Sequence, residues 1–213
     1  MEPRQYTPGD RLLEEISRTI NVLAAPARSA RPYPARNAPA DRLSATERVE
    51  AARLMRVNHS GEIAAQALYR GQALWARKPR IAQALRQAAT EEMDHLAWCE
   101  ERLGELGGRP SVLAPVWYGG SFLIGWLAGA AGDAASLGFV SETERQVESH
   151  LEGSMQKLPV SDQRSRSVLA AMAADEAAHG TNAEALGGKP LPTLIKTAMK
   201  WTARIMTRTS FWL

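Results

Sequence analysis

The sequence predicts an all-α protein whose body is four long helices paired as two hairpins. Three observations carry this. Four segments repeat apolar or polar-functional residues at steps of three and four. No segment sustains the period-two alternation of β-branched residues that a strand needs. Glycine pairs or prolines then stop each segment where its stripe ends.

In chain order, residues 10–24 place Leu12, Leu13, Ile16, Ile20 and Leu23 at helical spacing, a short amphipathic element. Prolines at 26, 32, 34 and 39 follow, so residues 24–40 cannot stay helical and form a linker or an extended arm packed on the body. Ser44-Ala45-Thr46-Glu47 reads as a capping box opening a helix to about Arg77, and Lys78-Pro79-Arg80 breaks it. The second long helix, 81–106, carries its stripe at 81, 85, 88, 92, 95, 99, 103 and 106 and ends at Gly107-Gly108. The third, 133–158, aligns Val140, Glu144, Val147, Leu151, Met155 and Leu158 before Pro159. The fourth, 162–186, aligns Ser165, Leu169, Met172, Glu176, His179, Ala183 and Leu186 before Gly187-Gly188. The chain thus divides into an N-terminal helix and Pro-rich linker (1–43), a bundle (44–190) that includes a crossover (107–133), and a C-terminal basic amphipathic helix (191–213).

The 213 residues suit one domain with appendages. Cys99 is the only cysteine, which excludes an internal disulfide, a four-cysteine zinc site and a self-contained iron–sulfur cluster, and fits a reducing compartment. A net charge of +3 forces no nucleic-acid partner, and three Phe, four Tyr and six Trp make a poor base-stacking platform. The start Met1-Glu2-Pro3-Arg4 lacks a secretory layout, and Asp10, Glu14 and Glu15 argue against a transit peptide.

The chemistry lies inside the stripes. Glu92-Met93-Asp94-His95 and Glu176-Ala177-Ala178-His179 each put a carboxylate and an imidazole one turn apart on an apolar face. Burying an ionised carboxylate costs several kcal/mol, so a core glutamate needs a partner. No Arg or Lys lies on these two stripes; protonation could neutralise one or two acids, whereas a bound cation satisfies them all. Each of these helices follows one with its own stripe glutamate, Glu62 or Glu144, and the near-equal separations (30 residues from Glu62 to Glu92, 32 from Glu144 to Glu176) bring both pairs to one level of the bundle. Four glutamates and two histidines from four helices form a di-metal carboxylate layout in which two divalent ions cancel four negative charges. Oxygen and imidazole ligands without thiolate suit iron or manganese better than a structural zinc site.

The remaining acids and histidines receive plainer readings. Glu91, Glu100, Glu101, Glu142 and Glu184 fall off the stripes and are expected in solvent. Glu148 and His59 sit one position off the face, and His150, on the flank of its helix, is either a satisfied histidine or a proton relay.

Asn58-His59-Ser60-Gly61-Glu62, Glu92-Met93-Asp94-His95, Thr143-Glu144-Arg145 and Asp175-Glu176-Ala177-Ala178-His179 together resemble the demethoxyubiquinone hydroxylases of ubiquinone biosynthesis, a ferritin-like di-iron group, over residues 50–213. The resemblance implies Glu62, Glu92, His95, Glu144, Glu176 and His179 as ligands of two iron ions. It also implies O2-dependent hydroxylation of a polyprenylated demethoxyubiquinol ring, so a lipid quinol substrate. Some members carry His-Tyr, a proposed electron relay, where this chain has His150-Leu151. A tyrosine-dependent relay is therefore not expected.

Two segments point to a membrane surface. Residues 111–132 hold no charge, but a span there would put the two hairpins on opposite sides of the bilayer, and Pro115 with five glycines weakens a single long helix. The expectation is a monotopic crossover presenting Phe122, Leu123, Ile124, Trp126 and Leu127 to lipid; burial in the core or a dimer interface is the alternative. In the tail, Lys196, Lys200, Arg204 and Arg208 form a basic stripe among Leu194, Ile195, Met199, Trp201, Ile205, Met206, Phe211 and Trp212, with no acid from residue 189 onward. An ordinary packed helix or a nucleic-acid stripe are the other readings. The expected location is peripheral, on the cytoplasmic face of the cell membrane in a bacterium. No dinucleotide fingerprint and no cluster-forming cysteines are present, so electrons come from an external reductant or from the quinol. A homo-oligomer or lipid-presenting partner is compatible with exposed apolar segments. A ferritin-like ferroxidase or peroxidase, or a non-enzymatic membrane-bound helical scaffold, are the alternatives.

Overall fold

In the computed structural model, which describes residues 8–213, the helices run α1 (Pro8–Ala24), α2 (Ala45–Ala73), α3 (Pro79–Glu105), α4 (Ala114–Ala130), α5 (Asp133–Lys157), α6 (Gln163–Ala185) and α7 (Thr193–Trp212), and no strand occurs among the described residues. Met1-Glu2-Pro3-Arg4 lies outside the description, as do the side chains of Leu12, Glu14 and Glu15. Helix α2 starts at the capping box: Ser44 Oγ accepts from the Glu47 backbone N–H at 3.3 Å, and the Glu47 carboxylate accepts from the Ser44 N–H at 2.8 Å. Pro79 occupies the first turn of α3, where its missing N–H is harmless, so the proline that breaks one helix opens the next. Gly107 and Gly187, after α3 and α6, have φ of 70° and 106°, the left-handed terminator that side chains disfavour.

α2 with α3 and α5 with α6 form the two hairpins of a ferritin-like bundle. Its core comes in two apolar blocks. One gathers Met55, Cys99, Leu103, Leu151, Leu169 and Met172; the other gathers Tyr69, Ile81, Leu85, Leu137 and Val140. Between them along the helices lies the level of Glu62, Glu92, Glu144 and Glu176.

The crossover differs from expectation. Residues 114–130 form one uninterrupted helix, with Pro115 in its first turn. The glycines serve packing: a Cβ on Gly71 of α2 would meet the Trp126 backbone nitrogen at 2.7 Å, and one on Gly125 would meet Leu68 Cα at 2.8 Å. α4 therefore lies directly against α2, and the contact recovers what glycine costs the helix. Phe122 packs against the Val22, Ile63, Ala67, Leu96 and Tyr118 cluster rather than facing out, whereas Leu123, Trp126 and Leu127 are exposed. No helix is long and apolar enough to cross a membrane among the described residues.

Residues 25–41 lie along α3 and α6 as an arm. The Ala27 N–H donates to Glu100 (2.8 Å), Ala30 N–H to Asp94 (2.6 Å), and Tyr33 is buried with its hydroxyl 3.3 Å from Glu105. The arm's end is tied by Arg102, buried in α3, whose guanidinium reaches Asp41 (2.5 Å), Asp162 (2.8 Å) and Glu105 (2.7 Å) and whose Nε donates to Ser165 (2.8 Å). A buried guanidinium survives only when so surrounded.

Glu142 contradicts the solvated reading: its side chain is 3% exposed and paired with Arg145 and with Lys196 Nζ at 3.1 Å. One cation of the tail stripe is thus engaged by the body. Glu100 and Glu91 also have partners, the latter described below, while Glu101 and Glu184 are exposed. Along α7, Met199, Met206 and Phe211 are partly covered, while Leu194 (80% exposed), Trp201 (60%) and Trp212 (66%) are open.

Candidate metal centre

Glu62 comes from α2, Glu92 and His95 from α3, Glu144 from α5, and Glu176 and His179 from α6. Helical periodicity aims all six inward, and the two hairpins bring them to one level. Two groups of ligand atoms result, each within 4.8 Å: Glu62, Glu92, His95 and Glu176, and Glu144, Glu176 and His179. Glu176 belongs to both. His95 Nδ1 lies 3.1 Å from Glu92, 3.4 Å from Glu176 and 3.5 Å from Glu62; His179 Nδ1 lies 3.3 Å from Glu176 and 3.4 Å from Glu92. Both rings turn Nδ1 inward, and Glu92 and Glu176 stand between them.

The outward nitrogens follow a reciprocal pattern. His95 Nε2 is 2.8 Å from Asp175, the residue before Glu176, and His179 Nε2 is 2.6 Å from Glu91, the residue before Glu92. Tyr69, in line with Glu62 on α2, is buried and donates its hydroxyl hydrogen bond to Glu144. Asp175, Glu91 and the role of Tyr69 were not identified from sequence. Their one signal was adjacency to a stripe glutamate or, for Tyr69, a place on the stripe.

The electrostatics are those of an acid cluster held by its own protons. Burial pushes Glu62 well above the carboxylate range, and burial with the nearby Glu176 charge does the same to Glu144. Burial also opposes ionisation of Glu92 and Glu176, but the two imidazoles overcome it and hold both below their ordinary value. Burial disfavours the charged rings, yet the carboxylates prevail: His95 is raised well above its usual range and His179 is pushed up to about 11. Four ionised glutamates carry −4, which two divalent ions would cancel while displacing the protons that the raised acids and imidazoles favour. Glu62 Oε2 and Glu92 Oε1, both buried, accept no hydrogen bond. Acceptors so placed beside two imidazole nitrogens fit a pair of oxygen- and nitrogen-loving ions.

His150 is not brought to this cluster. Its Nε2 lies 3.4 Å from Ser154, on the next turn of α5, and burial with Lys157 lowers its pKa. Leu151 fills the apolar block. His59 is buried with Nε2 3.5 Å from Glu100, and neither it nor Glu148 joins either group.

Residues 49–210 match the family model described as ubiquinone biosynthesis protein COQ7. The chain belongs to the COQ7 family. It is 55% identical over 211 residues to the 3-demethoxyubiquinol 3-hydroxylase of Bordetella parapertussis, covering 99% of this chain and 95% of that protein. It is 53% identical to the protein of the same name from Nitrosomonas europaea (95% and 98% covered) and 52% identical to that of Cupriavidus taiwanensis (95% and 99%). The match to COQ7 proteins covers every residue of the acid and imidazole cluster.

A small cleft borders the cluster: Leu85, Ala88, Leu137, Val140 and Ala183 line it together with Tyr69 and His179. Asn182 is a third polar residue on its lining.

Proposed function

We propose that this COQ7-family chain is a 3-demethoxyubiquinol 3-hydroxylase: it inserts one atom of O2 into a ring C–H bond of a polyprenylated quinol while the other atom leaves as water, at the expense of two electrons and two protons. The observation that carries the reading is the convergence of four buried glutamates and two histidines in a chain so similar to hydroxylases of that name. Glu62, Glu92, His95, Glu144, Glu176 and His179 would hold two iron ions, with manganese as the other candidate. When bound, such ions supply the redox capacity and Lewis acidity for O2 chemistry.

The chain's own residues do the rest. Asp175 and Glu91, bonded to Nε2 of His95 and of His179, orient the rings so that Nδ1 turns toward Glu92 and Glu176, where it would be available to a bound ion. Tyr69 holds its proton on the hydroxyl and steadies Glu144 with it. Leu85, Ala88, Leu137 and Val140 keep bulk water from the ring-binding side, which strengthens each electrostatic contact within. The electrons come from an external reductant or the quinol.

Supporting a peripheral site on the membrane, exposed apolar side chains recur on α1 (Leu13, Ile16, Ile20), α4 (Leu123, Leu127) and α7 (Leu194, Trp201, Trp212), beside Lys200, Arg204 and Arg208. A lipid substrate would then reach the cleft without crossing water.

The test supplies purified, iron-loaded protein with 3-demethoxyubiquinol, 18O2 and a reductant. Product heavier by one labelled oxygen is expected; oxidation of Fe(II) with the quinol unchanged would instead make the protein a ferroxidase. Reversing charge at Lys200, Arg204 and Arg208 should weaken binding to anionic liposomes, and unchanged binding would remove α7 from the membrane reading.

A further inference from the structure

We propose that Arg31, on the N-terminal arm, is a positioning residue for the metal centre, clamping the two Glu-x-x-His helices and holding His95 through Asp175. The inference rests on the metal reading above and assigns work to a segment that precedes the family match, which begins at residue 49.

Arg31 Nε is 2.7 Å from Asp94 on α3, and its Nη1 is 2.8 Å from Asp175 on α6. Each acid is the immediate neighbour of a cluster residue, Asp94 of His95 and Asp175 of Glu176. Asp175 then uses Oδ2 for both Arg31 and His95 Nε2, the latter at 2.8 Å. The arm is itself seated by the Ser29 hydroxyl (2.9 Å) and the Ala30 N–H (2.6 Å), which donate to Asp94. The guanidinium lies 4.6 Å from the centre of the Trp98 ring, and Trp98 lies 5.3 Å from His95, centre to centre. A planar fork can bond two carboxylates on different helices at once; an ammonium offers only a point charge.

The physical consequence is a fixed ring. The hydrogen bond at Nε2 decides where Nδ1 points and how strongly it donates electron density to an ion, and loss of such a partner weakens metal binding roughly 10–100-fold in known sites. Arg31 acts one bond further out, so a loss of about tenfold is expected on Arg31→Met. That loss should fall on one of the two ions only, because His95 belongs to just one of the two ligand groups.

The test is Co(II) titration of the full-length metal-free protein, reading stoichiometry, affinity against a competing chelator, and the visible ligand-field bands. Arg31→Met should weaken one of two ions about tenfold and shift its bands. Arg31→Lys should stay weakened by at least about threefold, since the fork is lost. Adding Arg31→Met to Asp175→Asn should cost less than about twofold more, because both act along one path.

Wild-type affinities and bands in Arg31→Met, with only the melting temperature lowered, would make the arm a plain strap and overturn the inference. Full recovery in Arg31→Lys would overturn the bridging role, and additive losses with Asp175→Asn would overturn the route through Asp175. If wild-type protein binds no Co(II), the metal reading falls and takes this inference with it. If wild type takes up two ions and the variants match it, this inference alone falls.

Discussion

The two Glu-x-x-His helices present the same groups to the centre and differ in what lies behind them. Behind His95, Asp175 is roofed by Arg31 of the arm, with Trp98 beside the ring, and the imidazole is buried. Behind His179 stands Glu91, partly open to solvent and held by Gln87 Nε2 at 3.0 Å, and the ring borders the apolar cleft with Tyr69. One half is closed by charge and chain, the other borders an apolar cleft. A site that must stay dry yet admit a bulky substrate gains from closing one side permanently.

The largest effect should come from the acid that serves both halves. Glu176→Gln removes the carboxylate common to both ligand groups, so metal content should drop from about two ions per chain to near none, with activity falling at least ~10³-fold. Elemental analysis after desalting checks it; two ions retained would show that the halves do not share Glu176.

Next comes the proton exchange. With Glu62 and Glu144 raised and both histidines raised, the metal-free cluster favours bound protons that divalent ions would displace. Binding should release protons and tighten as pH rises, because a proton on His179 competes until pH passes about 11. Calorimetry in buffers of different ionisation heat measures the number; a release near zero would mean the acids are already ionised in the metal-free protein.

The open half is sharpened by narrowing it. Ala88→Trp should raise KM for the quinol about tenfold and leave metal content intact, whereas Arg31→Met should do the reverse. An unchanged KM would place the ring elsewhere.

The smallest effect lies outside the centre, where α7 meets α5. Burial works against ionised Glu142, yet Arg145, Gln146 and Lys196 hold its pKa down at about 2 against an ordinary 4.5. A lowered folded pKa gives stability that is present above 4.5 and lost as pH falls toward 2. Lys196→Met should therefore reduce the loss of melting temperature between pH 5 and pH 3, measured by circular dichroism in a low-salt buffer. An unchanged pH slope would exclude Lys196 from that support.

How far each feature was legible follows from its range. The helices, their stops and the six inward residues depend on spacing within one segment, and a period near 3.6 carries that in the sequence itself. Glu142 read as a surface charge because its partner Lys196 is far away in the chain, and the burial of Arg102 likewise depends on Asp41 and Asp162, both some 60 residues distant. Glu91 and Asp175 sit off the stripes, so periodicity set them aside, although each adjoins a glutamate the stripes selected. Gly125 read as a weakness in a helix, because only the facing backbone of Leu68 shows why no side chain fits there.

By itself the sequence determined that four helices form and that acids and imidazoles occupy their apolar faces, since both are consequences of local periodicity and of the cost of dry charge. Tertiary structure decided which of two similar halves is roofed, which charges are buried in pairs and how closely α4 approaches α2. Those outcomes depend on where distant segments come to rest, and Coulomb energy and backbone contact act through space, whatever the separation along the chain.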